Sequence, residues 1–575
     1  MNFFTPIPEQ IERLVQEAVE AAQAAGDLPQ LKNHTTLSAA VKPAKQSDYA
    51  SAIAMASAKA FQMKPLDVAT VVVKHLPTSS LISKIEVAPP GFINFWLSSN
   101  WLQDQVNAII AAGEQVFSTD RGAGKRVMVE FVSANPTGPL HIGRSRGAVV
   151  GDAVARLLET CGWSVHREYY FNNGGRQMQL LGMTLQARYL QALGQDTPIP
   201  HDGYQGEYLI EMGQQLAQEV GATWQDKGWE DFKVYAENAI FALIRATLER
   251  LGVRFDLYFN ELDLYDSGAV WKIRDQLKAR KHTYEGIVWE GATPEEREKA
   301  TAKNTESAVW FRSTAFGDDQ DRVIVRANGD PTYVLPDIAY HVNKLDRGFD
   351  RVINVLGADH FTESQVVKRG LAALDYDADK VDVILHQMVH LVKAGEKVGM
   401  STRKGEIITL DEIMDETGPD AIRYFLLSRS TDNDIAFDLD LAVKQSNDNP
   451  VFYIQNAHVR CAGILRQLQE RGYADDWDAD ADLSQLGEEE IAFVMQMLSF
   501  PEQLQLAHDN LAPHQLAFWA LDLARAFHPM YDRVRVLHSE VPEPVAKARL
   551  RVYRAAKVVF QRVLMLIGMT APEQM

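Results

Sequence analysis

The sequence contains little of what defines several common classes of protein. Of its 575 residues only Cys161 and Cys461 are cysteines, too few for a disulfide framework or for a cysteine-based zinc site. It has no apolar run of the ~18 residues that a membrane-spanning helix needs, and residues 1–8 lack the basic start and apolar stretch of a signal peptide. We therefore expect a protein of the reducing cytoplasm that binds no zinc and contacts no membrane.

Positive charge is also scarce. Lysine and arginine number 58 against 77 aspartates and glutamates, a formal net charge of −19. Such a chain repels nucleic acids unless its basic residues are clustered. One cluster exists between residues 545 and 572, which contain no acidic residue. Its basic members are Lys547, Arg549, Arg551, Arg554, Lys557 and Arg562. A solvated helix face and a contact with RNA explain this stripe equally well.

The chain is too long for one hydrophobic core, because such cores stop growing at about 250–300 residues. Near the N-terminus, helical spacing starts at Ile7, and residues 71–73 and 85–97 are predicted strands. Changes in pattern predict an α+β domain over 1–120, an α/β domain over 121–395, a region with a basic loop over 396–440, and a helical domain over 441–575.

The second domain begins with a strand–loop–helix–strand pattern. Residues 126–132 and 163–171 are predicted strands that flank a helix starting near Gly147, and this βαβ order implies a parallel sheet with its ligand at the carboxyl ends of the strands. Residues of about 180–321 are predicted to be a mostly helical insertion. The sheet is expected to resume at 323–327, 352–356 and 381–386. The predicted fold class is multidomain α/β, with a Rossmann-like parallel-sheet domain that carries the helical insertion.

The first functional motif is the loop over residues 133–144, between a predicted strand and a helix N-terminus. Backbone N–H groups at such a terminus bind anions. Gly143 permits close approach of a nucleotide, and His141 is placed to donate a hydrogen bond to a phosphate oxygen. A tight loop with a helix-capping histidine explains the same residues.

The second motif is the basic, glycine-flanked loop Gly399–Gly405, which contains Met400, Ser401, Arg403 and Lys404. A loop of this composition can close over a triphosphate and stabilise the leaving pyrophosphate. A solvated surface turn explains it as well. The two motifs in this order, on either side of a predicted sheet, indicate nucleotide chemistry more strongly than either does alone.

The two loops resemble the HIGH and KMSKS signatures of class I aminoacyl-tRNA synthetases. Further segments narrow the resemblance to the arginyl-tRNA synthetase family, and it extends over nearly the whole chain. These segments are residues 87–95, 130–138, 169–177, 331–341 and 437–450.

The resemblance implies ATP-dependent ligation of L-arginine to tRNA(Arg), with Mg²⁺ accompanying ATP, in a monomer. It assigns Glu130, Tyr333 and Asp337 to the guanidinium of arginine, although a helix N-cap also explains Asp337. Ser133 and Asn135 match residues that hold the amino-acid backbone. Gly357 and His360 are candidate contacts for adenosine or ribose. The helical C-terminal domain is expected to bind the anticodon, with Arg533, Arg535, Arg551, Arg554 and Lys557 as candidate tRNA contacts.

Three positions depart from the family pattern. Arg144 stands where HIGH ends in histidine, and Gly399 and Thr402 stand where the second loop has lysines. The cations that would replace them are Arg144, Arg146, Arg403 and Lys404. An alternative is therefore a synthetase-like RNA-binding protein with a degenerate site. A small-molecule nucleotidyltransferase is a third hypothesis, but it leaves the C-terminal helices unexplained.

Overall fold

The structure, a computed structural model, describes residues 4–31, 41–302, 306–398 and 408–575. Its first domain carries a four-stranded antiparallel sheet of order β1-β2-β4-β3. The elements are α1 (Ile7–Ala25), β1 (Val41–Pro43), β2 (Tyr49–Ser51), α2 (Ile53–Phe61), α3 (Pro65–Lys74), β3 (Ile82–Ala88), β4 (Phe92–Leu97) and α4 (Ser99–Ala112).

The predicted hairpin over residues 85–97 is confirmed by β3 and β4. The strand predicted at residues 71–73 is wrong, because these valines lie in α3. Pro65 starts that helix, and Val68, Ala69 and Val72 form its buried face. Packing of this face outweighs the β propensity of three successive valines.

The second domain is built on a five-stranded parallel sheet of order β12-β11-β5-β6-β7. The strand order reverses at β5, which has β6 on one side and β11 on the other. Its elements are β5 (Arg126–Glu130), α5 (Ile142–Thr160), β6 (Ser164–Phe171), α6 (Gly175–Ala192), α7 (Glu207–Val220), α8 (Trp229–Arg250), β7 (Leu257–Asn260), α9 (Leu262–Asp266), α10 (Ala269–Ala279), β8 (Thr283–Gly286), α11 (Pro294–Ala302), β9 (Ala308–Phe311), β10 (Arg322–Val325), α12 (Val334–Asp346), β11 (Arg351–Gly357), α13 (Phe361–Ala373) and β12 (Val381–His386).

The predicted course of the parallel sheet needs two corrections. Strand β7, within the predicted insertion over about 180–321, belongs to this sheet as the partner of β6. Strand β10, predicted to resume that sheet, pairs antiparallel with β9 in a separate sheet of order β10-β9-β8. An apolar run of four or five residues predicts a strand but contains no information about its partner.

The C-terminal half joins a small sheet, of order β14-β13-β15, to a set of helices. The last helix, α21, packs against α17 and also against α4 of the first domain. No described helix is long and apolar enough to span a membrane. The elements are β13 (Val389–Lys393), β14 (Glu396–Lys397), α14 (Leu410–Thr417), α15 (Pro419–Leu427), β15 (Ile435–Asp438), α16 (Leu439–Ala442), α17 (Pro450–Glu470), α18 (Glu488–Leu498), α19 (Phe500–Asp509), α20 (His514–Arg533) and α21 (Glu543–Leu566).

Candidate active site

The backbone is strained where the chain leaves β5. Val132 has φ 70° and Ser133 has φ 43°, left-handed values that cost non-glycine residues about 1–3 kcal/mol each. The Ser133 hydroxyl donates to Oε1 of Glu130 at 2.8 Å and accepts from the backbone N–H of Tyr170 at 3.3 Å. These bonds hold the loop over the carboxyl edge of the sheet, at the point where the strand order reverses and ligands of such sheets bind.

Glu130, at the end of β5, is a buried carboxylate with a buried cation beside it. Lys344 of α12 donates to Oε2 of Glu130 and, at 2.7 Å, to the side-chain oxygen of Asn354 on β11. The side chains of Glu130 and Lys344 are 7% and 0% exposed. The pair joins β5, β11 and α12. Lys344 was missed in the sequence analysis. The pattern that could have identified it is a lysine on the apolar face of α12, two turns after Asp337.

Asp337 lies in the first turn of α12, and its carboxylate is half-buried. The N-cap of this helix is Tyr333, which makes no side-chain cap bond, so the capping explanation for Asp337 is wrong. Burial first, and then repulsion from Glu261, Glu130 and Glu363, raises the pKa of Asp337 well above its usual value, although Lys344 offsets part of the rise. Tyr333 is 56% exposed one turn earlier.

Asn135 is joined to residues that follow β6 and β7. Its side-chain oxygen accepts from the backbone N–H of Asn172 at 3.0 Å, and its amide donates to Gln177 at 3.3 Å. Asn172 in turn donates to Glu261, the residue directly after β7. The structure thus brings Glu130, Ser133, Asn135 and Asp337 to one edge of the sheet, and it adds Asn172 and Glu261, which the sequence prediction missed.

His141 is the N-cap residue of α5. Burial, reinforced by Arg144, lowers the pKa of His141, so the imidazole is neutral at pH 7 and retains one N–H donor. It forms an antiparallel bridge with Thr409, the second residue described after the loop. A side chain at Gly143 would begin 3.0 Å from the His141 ring. Arg144 is exposed on the first turn of the helix.

Arg146 is not available to a triphosphate, contrary to the sequence prediction. It is 0% exposed, and its guanidinium donates to the backbone oxygens of Gln387, Ser430 and Asn433. Burial lowers the pKa of Arg146 to about 10, which leaves it charged at pH 7. The residue anchors α5 to the β13–β15 region.

The remaining nucleotide candidates fall into two groups. Gly357 ends β11 at the carboxyl edge of the sheet, and His360 is exposed next to it, with Nδ1 2.7 Å from Oε2 of Glu363. The predicted residues of the second loop lie outside the described residues. They are Met400, Ser401, Arg403 and Lys404.

The basic stripe on α21 is occupied by contacts within the chain. Arg551 donates to Asn107 of α4 at 2.8 Å, and Arg554 binds the fully buried Asp478 at 2.9 Å. Lys557 pairs with Glu573 at 2.8 Å. These contacts favour a structural role for the stripe, and the contact of Arg551 also joins the C-terminal helices to the first domain. The candidate cations at the end of α20 are more accessible, with Arg533 paired to Glu489 and Arg535 exposed.

The loop at the carboxyl end of β5 leads into the N-terminus of α5, and the carboxylates of Glu130, Glu261 and Asp337 are grouped at the same edge of the sheet. Among the described ranges, no group of three or more His, Cys, Asp or Glu side chains is arranged to hold a metal ion. A parallel sheet whose strand order reverses at the site, followed by a helical C-terminal domain, is the architecture of class I aminoacyl-tRNA synthetases.

Comparisons with known proteins narrow this class. A model of the arginyl tRNA synthetase N-terminal domain matches residues 9–97, and one of the class I (R) catalytic domain matches 105–219 and 284–435. A DALR anticodon binding domain model matches 454–575.

Whole-chain relatives agree with these matches. An arginine–tRNA ligase of Desulforudis audaxviator is 41% identical over 585 residues, 98% of each chain. One of Bacillus licheniformis is 39% identical over 568 residues, again 98% of each. The arginyl-tRNA synthetase of Thermus thermophilus shares the fold, with a TM-score of 0.72 at 21% identity over 99% of this chain and 100% of the other. The chain belongs to the arginyl-tRNA synthetase family, and nothing in these comparisons favours a degenerate relative.

Proposed function

We propose that this chain activates L-arginine with ATP in the crevice at β5 and β11 and then transfers arginine to tRNA(Arg). The arginine carboxylate attacks the α-phosphorus of ATP, and pyrophosphate leaves. A ribose hydroxyl of the terminal adenosine then attacks the activated carbonyl, and AMP leaves. The protein contributes positioning and electrostatic stabilisation rather than covalent chemistry. The observation that carries this proposal is the group of carboxylates around Asp337, at the sheet edge from which the chain enters α5.

Arginine binds with its side chain in the acidic pocket. Asp337 accepts from the guanidinium, which has five N–H donors and no acceptor. Tyr333, which is exposed one turn before Asp337, contacts the guanidinium in this proposal, as does Glu130, which accepts a hydrogen bond from Ser133. Ser133 and Asn135 hold the amino-acid end toward the nucleotide. The raised pKa of Asp337 supports this assignment, because a bound cation offsets the burial and the repulsion that raise it.

ATP binds across the other side of the crevice. The N–H groups at the start of α5, the His141 imidazole and the bare Gly143 suit a phosphate group. Gly357 and His360 suit the adenosine or its ribose. Arg144 supplies a fixed positive charge, and Mg²⁺ accompanies the triphosphate as part of the substrate. The loop residues Met400, Ser401, Arg403 and Lys404 complete the triphosphate contacts in our proposal.

The tRNA contacts the helical C-terminal domain, where Arg533 and Arg535 are the accessible candidates. Arg551, Arg554 and Lys557 remain candidate contacts of lesser weight, because each is engaged within the chain. The domain limits 1–120, 121–395, 396–440 and 441–575, a cytoplasmic location, the absence of zinc and a monomeric state belong to the same proposal.

The decisive experiment is ATP–pyrophosphate exchange with arginine, lysine and citrulline, each with and without tRNA. Exchange that is specific for arginine supports the proposal. Exchange with none of the three amino acids, in the presence of tRNA, overturns it. Aminoacylation of total tRNA with labelled arginine then tests the second step separately.

A further inference from the structure

We infer that Glu261 is a second specificity-determining carboxylate, which binds the arginine guanidinium together with Asp337. This inference rests on the proposed function, because it adds a residue to the same pocket. Glu261 follows β7 directly and so lies at the carboxyl edge of the sheet. It is 131 positions beyond Glu130 in the sequence (261 − 130), and its segment carries no recognisable motif.

The hydrogen bonds of Glu261 lead to both residues assigned to the amino-acid end of arginine. Its Oε1 accepts from the side-chain amide of Asn172 at 2.8 Å, and the backbone N–H of Asn172 binds Asn135. Its Oε2 accepts from the hydroxyl of Tyr170 at 2.7 Å, and the backbone N–H of Tyr170 binds Ser133. Glu261 is therefore one residue removed from each of these two predicted substrate contacts.

The same tyrosine connects Glu261 with the helix that bears Asp337. The Tyr170 ring stacks on Tyr340, with centroids 4.3 Å apart and planes at 24°. Tyr340 lies three residues after Asp337, on the next turn of α12. The residue that orients Glu261 is therefore packed directly against the helix turn that follows Asp337. In agreement, Glu261 is the charged group that most strongly raises the pKa of Asp337.

Charge distinguishes Glu261 from Glu130. Glu130 has a lysine on one carboxylate oxygen and the Ser133 hydroxyl on the other. The hydrogen-bond donors to Glu261 are neutral, and no lysine or arginine of the described residues forms an ion pair with it or with Asp337. Burial raises the pKa of Glu261, although the bonds from Tyr170 and Asn172 oppose the rise. Two half-buried carboxylates without a cation are incomplete until a cation binds.

A guanidinium fits this arrangement better than an ammonium does. Its planar fork can donate to two carboxylates at once, whereas an ammonium is a compact point charge. The pocket should accordingly reject citrulline, whose ureido group has the shape of the guanidinium without its charge. Lysine should be rejected because it cannot reach both carboxylates in one geometry.

The test is steady-state aminoacylation by the full-length Glu261→Gln variant, with arginine and ATP varied in turn. The KM for arginine should rise about 10- to 100-fold, which corresponds to the loss of one charge-assisted hydrogen bond. The KM for ATP should change by less than about twofold. The preference for arginine over citrulline, measured as a ratio of kcat/KM values, should fall about tenfold or more.

Two further variants separate binding from structure. Tyr170→Phe removes only the hydroxyl that orients Glu261, so it should raise the arginine KM by about 3- to 10-fold and leave the ATP KM unchanged. Asp346→Asn is the matched control, because Asp346 also accepts a tyrosine hydroxyl, from Tyr376 at 2.9 Å, but lies at the far end of α12. It should leave both KM values unchanged.

The outcomes distinguish this inference from the function on which it rests. If the unaltered chain charges arginine but Glu261→Gln keeps its arginine KM within about twofold, the inference fails and the proposed function stands. Equal increases in both KM values, or a lowered melting temperature with no selective effect, also overturn the inference, because they assign Glu261 to the fold. If the unaltered chain does not charge arginine, the proposed function itself fails.

Discussion

Lys344 neutralises Glu130 from 214 residues further along the chain, inside the catalytic domain. The contact ties the strand that carries the first substrate loop to the helix that carries Asp337. Lys344 also donates a hydrogen bond to the side-chain oxygen of Asn354. The side-chain nitrogen of Asn354 lies 2.8 Å from Nε2 of His341. The substrate loop and Asp337 are therefore fixed relative to one another by a buried polar network.

Replacing Lys344 with methionine should destabilise the catalytic domain strongly. The change leaves the Glu130 carboxylate buried without a cation, a situation that costs about 3–5 kcal/mol. Thermal unfolding followed by circular dichroism measures the effect. Glu130→Gln in the same chain should recover part of the loss, because the two changes together remove the unpaired charge.

The control for this prediction is Lys393→Met. Lys393 pairs with Glu416 on the surface, where the side chains are 53% and 44% exposed, and such a pair contributes about 1 kcal/mol or less. Equal effects of Lys344→Met and Lys393→Met would contradict the importance of the buried pair.

Replacing Asp337 with asparagine should raise the KM for arginine sharply and leave the KM for ATP nearly unchanged. The amide retains the shape of the side chain but cannot neutralise a guanidinium. We expect a loss of about 1.5–3 kcal/mol in arginine binding, the usual range for a hydrogen bond to a charged group. Comparable losses for both substrates would show that Asp337 shapes the fold rather than the pocket.

Asp337 should also impose a pH dependence on arginine binding. Burial, with repulsion from Glu261, raises its pKa in the free enzyme, so the protonated form, which cannot pair with a guanidinium, persists to higher pH than in an exposed aspartate. The value of kcat/KM for arginine should therefore fall as the pH is lowered through this raised pKa. The Asp337→Asn profile should lack that step, and an unchanged profile would assign the step to another group.

Replacing Arg144 with histidine, which restores the family signature, should lower activity. A cation on the first turn of α5 is disfavoured by the helix dipole, so its presence there is consistent with an anion bound nearby. We expect a loss of about 1–3 kcal/mol of transition-state stabilisation, measured through kcat/KM for ATP.

Two comparisons sharpen the Arg144 experiment. Lysine at Gly399 or Thr402 in the Arg144→His chain should recover some of the lost activity. Arg13→His, at an exposed position on α1 with a side chain that is 64% exposed, should have no effect. An Arg144→His enzyme as active as the parent would mean that Arg144 does not compensate for the missing lysines.

Arg554 and Arg535 should respond to truncation in different ways. Among the described residues, Arg554→Ala leaves the buried Asp478 with Arg551 as its one cation, at 3.8 Å, and the change should destabilise the chain by on the order of 3 kcal/mol. Arg535→Ala should leave the melting temperature unchanged. It should reduce the slope of log K for tRNA binding against log salt concentration by about one unit, the contribution of one phosphate contact. A reduced salt slope with unchanged stability in Arg554→Ala would instead assign the α21 stripe to RNA.

The sequence alone determined those parts of the fold that a local residue pattern predicts. The βαβ unit at residues 126–171, the β3–β4 hairpin and the helical C-terminal part followed from periodicity and turn residues. The residues at the crevice followed from the two loops and the family resemblance. These features are local, since each motif is contiguous and its residue types are set by the helix terminus or strand end that it occupies.

Only the tertiary structure decided which residues become partners. Residues 71–73 joined a helix because packing outweighed propensity, and β10 found its partner in a neighbouring hairpin rather than in the parallel sheet. Arg146 proved to be an anchor rather than a phosphate ligand. Lys344 and Glu261 came to the site through contacts between distant segments. Burial makes such pairings decisive, because a charge removed from water must find a specific partner, and no local pattern identifies that partner.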